Sequence, residues 1–191
     1  PDVVRRVFRV GSRTIRLAYA TGVRLLEAEL RALGRPPDEA PGIFAERLDR
    51  WAEDVLRAFR VEPRLDGALP PRPAPAPRLV LANHRSFLDI PLMLRLFGGH
   101  HLSRADVAGW PVVGRAARRT GALFVERGDG RSGAQAIRAL RRALRERRTL
   151  LVFAEGGTFA GDEVQPFRAG ALVAARGIPD VEVVPVGVAY P

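Results

Sequence analysis

An α/β domain preceded by a helical hairpin is the fold class that this sequence predicts, and three observations carry the prediction. From Arg78 onward, short apolar runs of strand length alternate with segments of helical periodicity. Before that point, Arg5 to Leu33 and the stretch holding Phe44, Leu48, Trp51, Val55 and Phe59 both have helical spacing, separated by a turn from Arg35 to Gly42. Between the two parts lies Gly67 to Pro77, GALPPRPAPAP, whose five prolines permit neither a helix nor a central strand. The expected organisation is therefore a helical segment over 1–66, a proline-rich linker over 67–77 and a catalytic domain over 78–191.

The first helix is basic and amphipathic. At helical spacing Arg5, Arg6, Arg9, Arg13, Arg16, Arg24 and Arg31 fall in one wedge about 100° wide, with Val7, Phe8, Ile15, Leu25, Leu26 and Leu33 on the far side. Such a helix suits an anionic membrane surface, where each basic residue contributes on the order of 1 kcal/mol. The alternative is a solvated face on a helix packed against its own protein, and Glu27 shares the wedge at i,i+4 spacing from Arg31. The apolar stripe of the second helix fits a core, or a further membrane-facing strip.

In the second part, Arg78 to Ala82 reads as a buried strand and Ser86 to Phe97 as a helix. His100 to Arg104 is a short strand, and Ala105 to Thr120 a helix interrupted by Gly109-Trp110-Pro111 and Gly114. Gly121 to Val125 is a strand, and Ser132 to Arg148 a helix with an exposed basic face. Thr149 to Ala154 is a strand, Phe167 to Arg176 a helix, and Val181 to Tyr190 a strand interrupted by Pro185 and Gly187.

The chemistry gathers at strand ends. Asn83 and His84 follow the first strand, Arg127 and Gly128 the third, and Glu155, Gly156 and Gly157 the fourth. Open α/β sheets bring such ends into one crevice. With His84 in the turn and Asp89 in the first helical turn the two side chains meet, although on one continuous helix they would stand about 140° apart. The pair then reads as a general base and the carboxylate that fixes its tautomer. Ser86-x-x-Asp89 is also a capping box, in which Asp89 merely ties down a helix end, and His101 and Asp106 repeat the separation of five residues as a decoy. There is no Cys, so the simplest use of His84 is to activate a substrate hydroxyl directly. Arg127 reads as a phosphate fork or a surface charge, and Gly156-Gly157 as an anion-binding approach or a tight turn. Glu155 would orient a basic partner or a substrate hydroxyl.

A net charge of +10, from 31 basic residues that are all Arg, favours anionic partners. Part of this basicity is what a GC-rich genome would produce. Absence of Cys excludes disulfides and thiolate metal sites, and no metal dependence is indicated. No uninterrupted apolar stretch of about 18 residues marks a membrane-spanning helix. The sequence opens at Pro1 without Met and stops at Pro191 after a strand-like run, so trimming at both ends is expected, with the catalytic domain truncated at its C-terminus.

In this order the strand-end groups resemble the glycerolipid acyltransferases, the family of 1-acylglycerol-3-phosphate and other lysophospholipid acyltransferases. Its first block, Asn-His-x-Ser-x-x-Asp, is matched by Asn83, His84, Ser86 and Asp89. Its second, aromatic-x-x-Arg, resembles Phe124 to Arg127, and its third, Phe-Pro-Glu-Gly-Thr, resembles Phe153-Ala154-Glu155-Gly156-Gly157-Thr158. Its fourth, a strand with a proline, resembles Val183 to Gly187 around Pro185, and Pro166 to Ala171 is similar to the family's Pro-Phe-basic-x-Gly-Ala run. The resemblance covers Val61 to Pro191 and leaves no place for His101 and Asp106.

The resemblance implies acyl transfer from acyl-CoA or acyl carrier protein to the hydroxyl of a lysophospholipid, 1-acylglycerol-3-phosphate foremost, without an acyl-enzyme and without a cofactor. His84 would be the base, supported by Asp89, with backbone donors near the helix start stabilising the oxyanion. Asn83, Ser86, Arg127, Glu155, Gly156, Gly157, Thr158, Arg168 and Pro185 would form the substrate site. It also implies a two-helix membrane-docking element, hence a peripheral protein on the cytoplasmic face of a bacterial-type inner membrane, with the anionic surface as partner and no nucleic acid. Gly157 stands in place of the family's Thr, and Thr158 in place of its frequent Arg, which opens the acceptor to other lyso-lipids such as lyso-ornithine lipid. The readings that compete with this one are a non-catalytic anionic-lipid or nucleic-acid binding module and a hydrolase using His84 to activate water.

Overall fold

A computed structural model of the chain describes residues 2–36, 39–110, 113–126, 130–159, 161 and 163–190, without the side chains of 2–14, 40, 41, 113, 130 and 131. The elements follow the order α1 (Asp2–Ala32), α2 (Ala40–Phe59), β1 (Arg78–Ala82), α3 (Asp89–Phe97), β2 (His100–Arg104), a 3-10 turn (Ala105–Gly109), α4 (Val113–Arg119), β3 (Leu123–Val125), α5 (Gly130–Arg145), β4 (Thr149–Phe153), α6 (Gly170–Ala175) and β5 (Glu182–Val186). The five strands form one sheet in the order β3-β2-β4-β1-β5, and every neighbouring pair is parallel.

β1 is the sheet's anchor because all five of its residues are buried. Its side chains alternate between two cores, as the period of two requires. Leu79 and Leu81 pack with Leu150 and Val152 of β4 against Leu140 and Leu144 of α5 and Ala171 and Ala174 of α6. Val80 and Ala82 face the other way, with Leu151, against Met93, Leu94 and Phe97 of α3 and Ala52 of α2. A sheet covered on both faces by helices is what parallel strands require.

α1 and α2 form the hairpin. Arg24 bonds Asp54 at 2.7 Å, Arg47 bonds Glu27 at 3.0 Å, and Trp51 Nε1 donates to Thr21 Oγ1 at 2.9 Å. The stripe of α2 is a core stripe: Phe44 and Val55 are buried. Two expectations about α1 change. Glu27 pairs with Arg24 and Arg47 instead of Arg31, because α2 supplies a competing cation, and Arg24 turns inward from the wedge to reach Asp54. The proline-rich stretch lies against the body, where Pro71 and Pro75 carbonyls accept from Arg78 and Arg147 and Arg72 spans Asp49 and the Arg95 carbonyl.

Several elements are shorter than their sequence patterns, and in three of them a side chain or loop takes over the backbone bonds. α3 begins at Asp89, not Ser86, since the Asp89 carboxylate accepts from the N–H groups of Arg85 and Ser86. α6 begins at Gly170 because Arg168 N–H is drawn to the Ala154 carbonyl. β5 ends at Val186 because the Asn83 amide takes both backbone groups of Val188.

Candidate active site

The site stands at the C-terminal edge of β4, β1 and β5, three adjacent parallel strands whose ends necessarily converge. β1 delivers Asn83 and His84, β4 delivers Glu155 to Thr158, and the chain after β5 delivers Val188 and Tyr190. Asn83 is buried and acts as a strap: its Nδ2 donates to the Val188 carbonyl at 2.8 Å, and its Oδ1 accepts from Val188 N–H at 2.6 Å.

His84 and Asp89 meet across the turn, with Nδ1 2.8 Å from Oδ2. The His84 ring also stacks on Phe153, with centroids 4.0 Å apart and planes 14° apart. Asp89 is fully buried, which works against its charge. Hydrogen bonds from His84, from Tyr190 and from the N–H groups of Ser86 and Arg85 outweigh that burial and hold the carboxyl below its ordinary range. One side chain thus bonds both the N–H groups of the turn and the ring nitrogen of His84. Ser86 Oγ accepts from Leu88 N–H at 3.2 Å, so this hydroxyl belongs to the turn.

Glu155 is buried and held at both oxygens. One accepts from His84 N–H at 2.5 Å, the other from Gln165 N–H at 2.7 Å and from Arg85 at 3.1 Å. Burial opposes its charge, and these donors again lower its pKa. Arg85 in turn reaches the carbonyls of Phe159 and Glu163, so Arg85 and Glu155 together fasten the loop after β4 to the His84 turn. Of the two roles open to Glu155, orienting a basic partner is the one its contacts show.

A cleft of about 890 Å³ runs from beneath the hairpin past this edge. Leu17, Leu25, Phe44, Trp51, Ile137 and Leu140 give it apolar walls, and His84, Gly156, Gly157, Thr158 and Arg168 line it as well. Gly156 has φ +75°, and a Cβ there would sit 2.5 Å from Arg168 Nε, so the guanidinium lies across this glycine. Asn83, Ser86, Asp89 and Glu155 stand behind the cleft wall. Pro185 lies on the edge strand β5, exposed, where its missing N–H costs no ladder bond. Arg127 falls outside the described residues, although Val125 and Glu126 before it line the cleft.

One expectation is corrected. The N–H groups of His84, Arg85, Ser86 and Leu88 at the start of α3 are engaged, by Glu155, Asp89 and Ser86, which leaves Phe87 N–H, bonded to no described group, as the helix-start donor beside the cleft. The decoy pair does not form: Asp106 is held by Arg104, and burial pushes the pKa of His101 down to about 4. Among the described residues no group of three or more His, Asp or Glu is arranged to hold a metal ion. Sequence reasoning missed Arg85 and Tyr190. Arg85 sits at a variable place within the motif, and Tyr190 reaches Asp89 from 101 residues away, a contact that no local pattern announces.

A histidine–carboxylate pair on the wall of an apolar cleft, at the C-terminal edge of a parallel sheet, is a site for acid–base chemistry on a substrate with an apolar part. Residues 69–189 match the family model described as Acyltransferase, and the chain belongs to that family. It is 38% identical over 181 residues to the lyso-ornithine lipid O-acyltransferase of Pseudomonas aeruginosa, covering 92% of this chain and 68% of that protein. It is 32% identical over 107 residues to the 1-acyl-sn-glycerol-3-phosphate acyltransferase of Neisseria gonorrhoeae, covering 54% of this chain and 42% of that one. The fold matches the crystal structure of the 1-acyl-sn-glycerophosphate acyltransferase PlsC from Thermotoga maritima with a TM-score of 0.69 at 21% identity, over 96% of this chain and 72% of that chain.

Proposed function

We propose that this chain transfers a fatty acyl group from a thioester donor to the free hydroxyl of a lyso-lipid, with His84 as general base and no acyl-enzyme. The carrying observation is the His84–Asp89 pair on the wall of the apolar cleft. Asp89 occupies Nδ1, which leaves Nε2 as the nitrogen for substrate. His84 takes the hydroxyl proton as the oxygen attacks the thioester carbonyl. The tetrahedral intermediate then collapses, the C–S bond breaks, and the imidazolium returns the proton to the leaving thiolate. In place of the engaged N–H groups at the start of α3 we assign the oxyanion to the N–H groups of Gly157 and Thr158. Both residues line the cleft, neither N–H is bonded among the described residues, and the Phe159 N–H bond to the His84 carbonyl, 2.9 Å, keeps them beside the base.

The acceptor we favour is a lyso-ornithine lipid. The Pseudomonas relative, which aligns with 92% of the chain, is named for that reaction, and the third block lacks the cation that a phosphate would meet. Arg168, exposed and folded over Gly156, is the cation available to the acceptor's anionic group, whether the carboxylate of ornithine or the phosphate of 1-acylglycerol-3-phosphate. The latter acceptor is the second reading. The donor is acyl-CoA or acyl carrier protein.

Peripheral membrane association completes the reading. Ile15, Tyr19, Leu26, Leu30 and Leu33 are 58–72% exposed and at helical spacing form one stripe along α1, with exposed Arg16 and Arg31 beside it. Phe87 and Trp110 stand exposed at the cleft. Among the described residues no helix is long and apolar enough to cross a membrane. The cytoplasmic face is the side on which both donors occur.

The test incubates the protein with palmitoyl-CoA or palmitoyl-acyl carrier protein and each lyso-lipid in detergent micelles, following thiol release and lipid product. Acceptor-dependent release that His84→Ala abolishes is the expected result. Fatty acid released without acceptor would mark a hydrolase, and inertness toward both donors a lipid-binding module.

A further inference from the structure

We propose that Tyr190 is a positioning residue of this reaction, its phenol locking the Asp89 carboxylate in the orientation that serves His84. The proposal rests on the reading of His84 as the base. Its grounds are the unequal treatment of the two carboxylate oxygens. Oδ2 accepts from His84 Nδ1 at 2.8 Å, Arg85 N–H at 2.6 Å and Ser86 N–H at 2.9 Å. Oδ1 accepts from Tyr190 O–H at 2.6 Å and from no other described group. Asp89 is 0% exposed, so without this phenol an anionic oxygen would be buried with no donor, and the carboxylate would be free to turn about its Cβ–Cγ bond.

The phenol is itself fixed in direction. Tyr190 donates to Asp89, and the Ser86 hydroxyl, which accepts from Leu88 N–H, lies close enough to influence the phenol. The backbone that carries Tyr190 is held two residues earlier by the paired bonds between Asn83 and Val188, so the strap after β5 exists at the right height to present the ring. Burial and the bond to Asp89 push the phenol's pKa upward, so the proton stays on Tyr190 throughout the working range. Tyr190 is not among the described residues that line the cleft, and its link to His84 runs through Asp89.

Tyr190→Phe keeps the ring and removes the donor. The expected result is a fall in kcat of about tenfold, with KM for lyso-lipid and thioester each within about twofold, since the residue touches neither substrate. Deprived of the phenol, Asp89 shares its charge with fewer donors and presents more of it to the imidazolium. The His84 titration, read from its ring Cε1–H by NMR and assigned with His84→Ala, therefore moves to higher pH than in the parent protein, and the acid limb of the pH–rate profile follows. If Tyr190→Phe does not fold, 3-fluorotyrosine incorporated at position 190 in a Tyr19→Phe background keeps the structure and strengthens the donor, and the His84 titration then moves the opposite way. An unchanged titration with either variant, or an unchanged kcat, overturns the proposal and leaves Tyr190 as packing. The titration needs no substrate, so failure of acyl transfer with every lyso-lipid counts against the proposed function alone.

Discussion

The C-terminal edge of the sheet and the amino-terminal hairpin both bury charge, but they anchor it differently. At the edge, Asp89, Glu155, Arg85 and Asn83 bond chiefly to backbone groups of neighbouring turns: N–H of His84, Arg85, Ser86, Gln165 and Val188, and carbonyls of Phe159, Glu163 and Val188. In the hairpin the bonds run from side chain to side chain, Arg24 to Asp54, Arg47 to Glu27 and Trp51 to Thr21, and the buried Nε of Arg47 finds no partner. A side chain bonded to backbone inherits the rigidity of the fold, whereas a pair of long side chains can re-form after a helix slides. The edge is therefore built to hold its geometry, and the hairpin, whose bonds can re-form, roofs the apolar cleft with a less rigid anchorage.

Paired substitutions break or sustain this comparison. Glu155→Ala leaves Arg85 buried without its carboxylate and removes the acceptor for two backbone N–H groups, and we expect the largest effect: a markedly lowered melting temperature and faster hydrogen exchange over the loop after β4. Asp54→Ala leaves Arg24 with Glu27 and with access to water, so its cost should stay within about 1 kcal/mol by denaturant titration. Equal losses from the two changes would refute the distinction. On the hairpin's outer face, Leu26→Ser with Leu30→Ser removes exposed apolar surface that makes no contribution to the core. Binding to anionic vesicles should weaken at least tenfold, because each leucine transfers about 1.5–3 kcal/mol of apolar surface out of water, while the melting temperature stays put. Unchanged vesicle binding would make the stripe incidental.

How much of this was legible in the sequence varies with the range of the interaction. β1, whose period of two sorts Leu79 and Leu81 from Val80 and Ala82, could be read to the residue, and so could the joining of His84 to Asp89, which depends on one turn. The helix pattern of 86–97 overran its true start because a hydrophobic period does not report that a carboxylate has already taken the first N–H groups. Glu155 was placed at the right strand end, yet its partner Arg85 was invisible as such. An Arg in a chain with 31 of them carries no signal, and the pairing is made only when β4 and β1 become neighbours. The strap through Val188 and Tyr190 has the pattern of more strand, since nothing in Val181 to Tyr190 reveals that Asn83 will end the ladder.

His101 lies between the two regions and uses neither kind of anchor, which yields the smallest of the expected effects. It lines the cleft from β2, its ring is hydrogen-bonded to no described group, and its pKa is pushed down to about 4 by burial and by the neighbouring His100. The unfolded chain protonates this histidine near its ordinary value of about 6.5, whereas the folded chain refuses the proton until about pH 4. Between those limits the unfolded state binds more protons, so stability falls as the pH is lowered through the window and is restored above it. Below about pH 4 the folded state takes up the proton too, and this source of pH dependence ends. His101→Gln, which cannot titrate, should flatten the decline in melting temperature across that window while leaving the value at pH 8 close to that of the parent. An equally steep decline in the variant would assign the acid sensitivity to His100, whose pKa burial and Arg148 also lower, because the carboxylates of Asp89 and Glu155, with pKa values below their ordinary range, act at still lower pH.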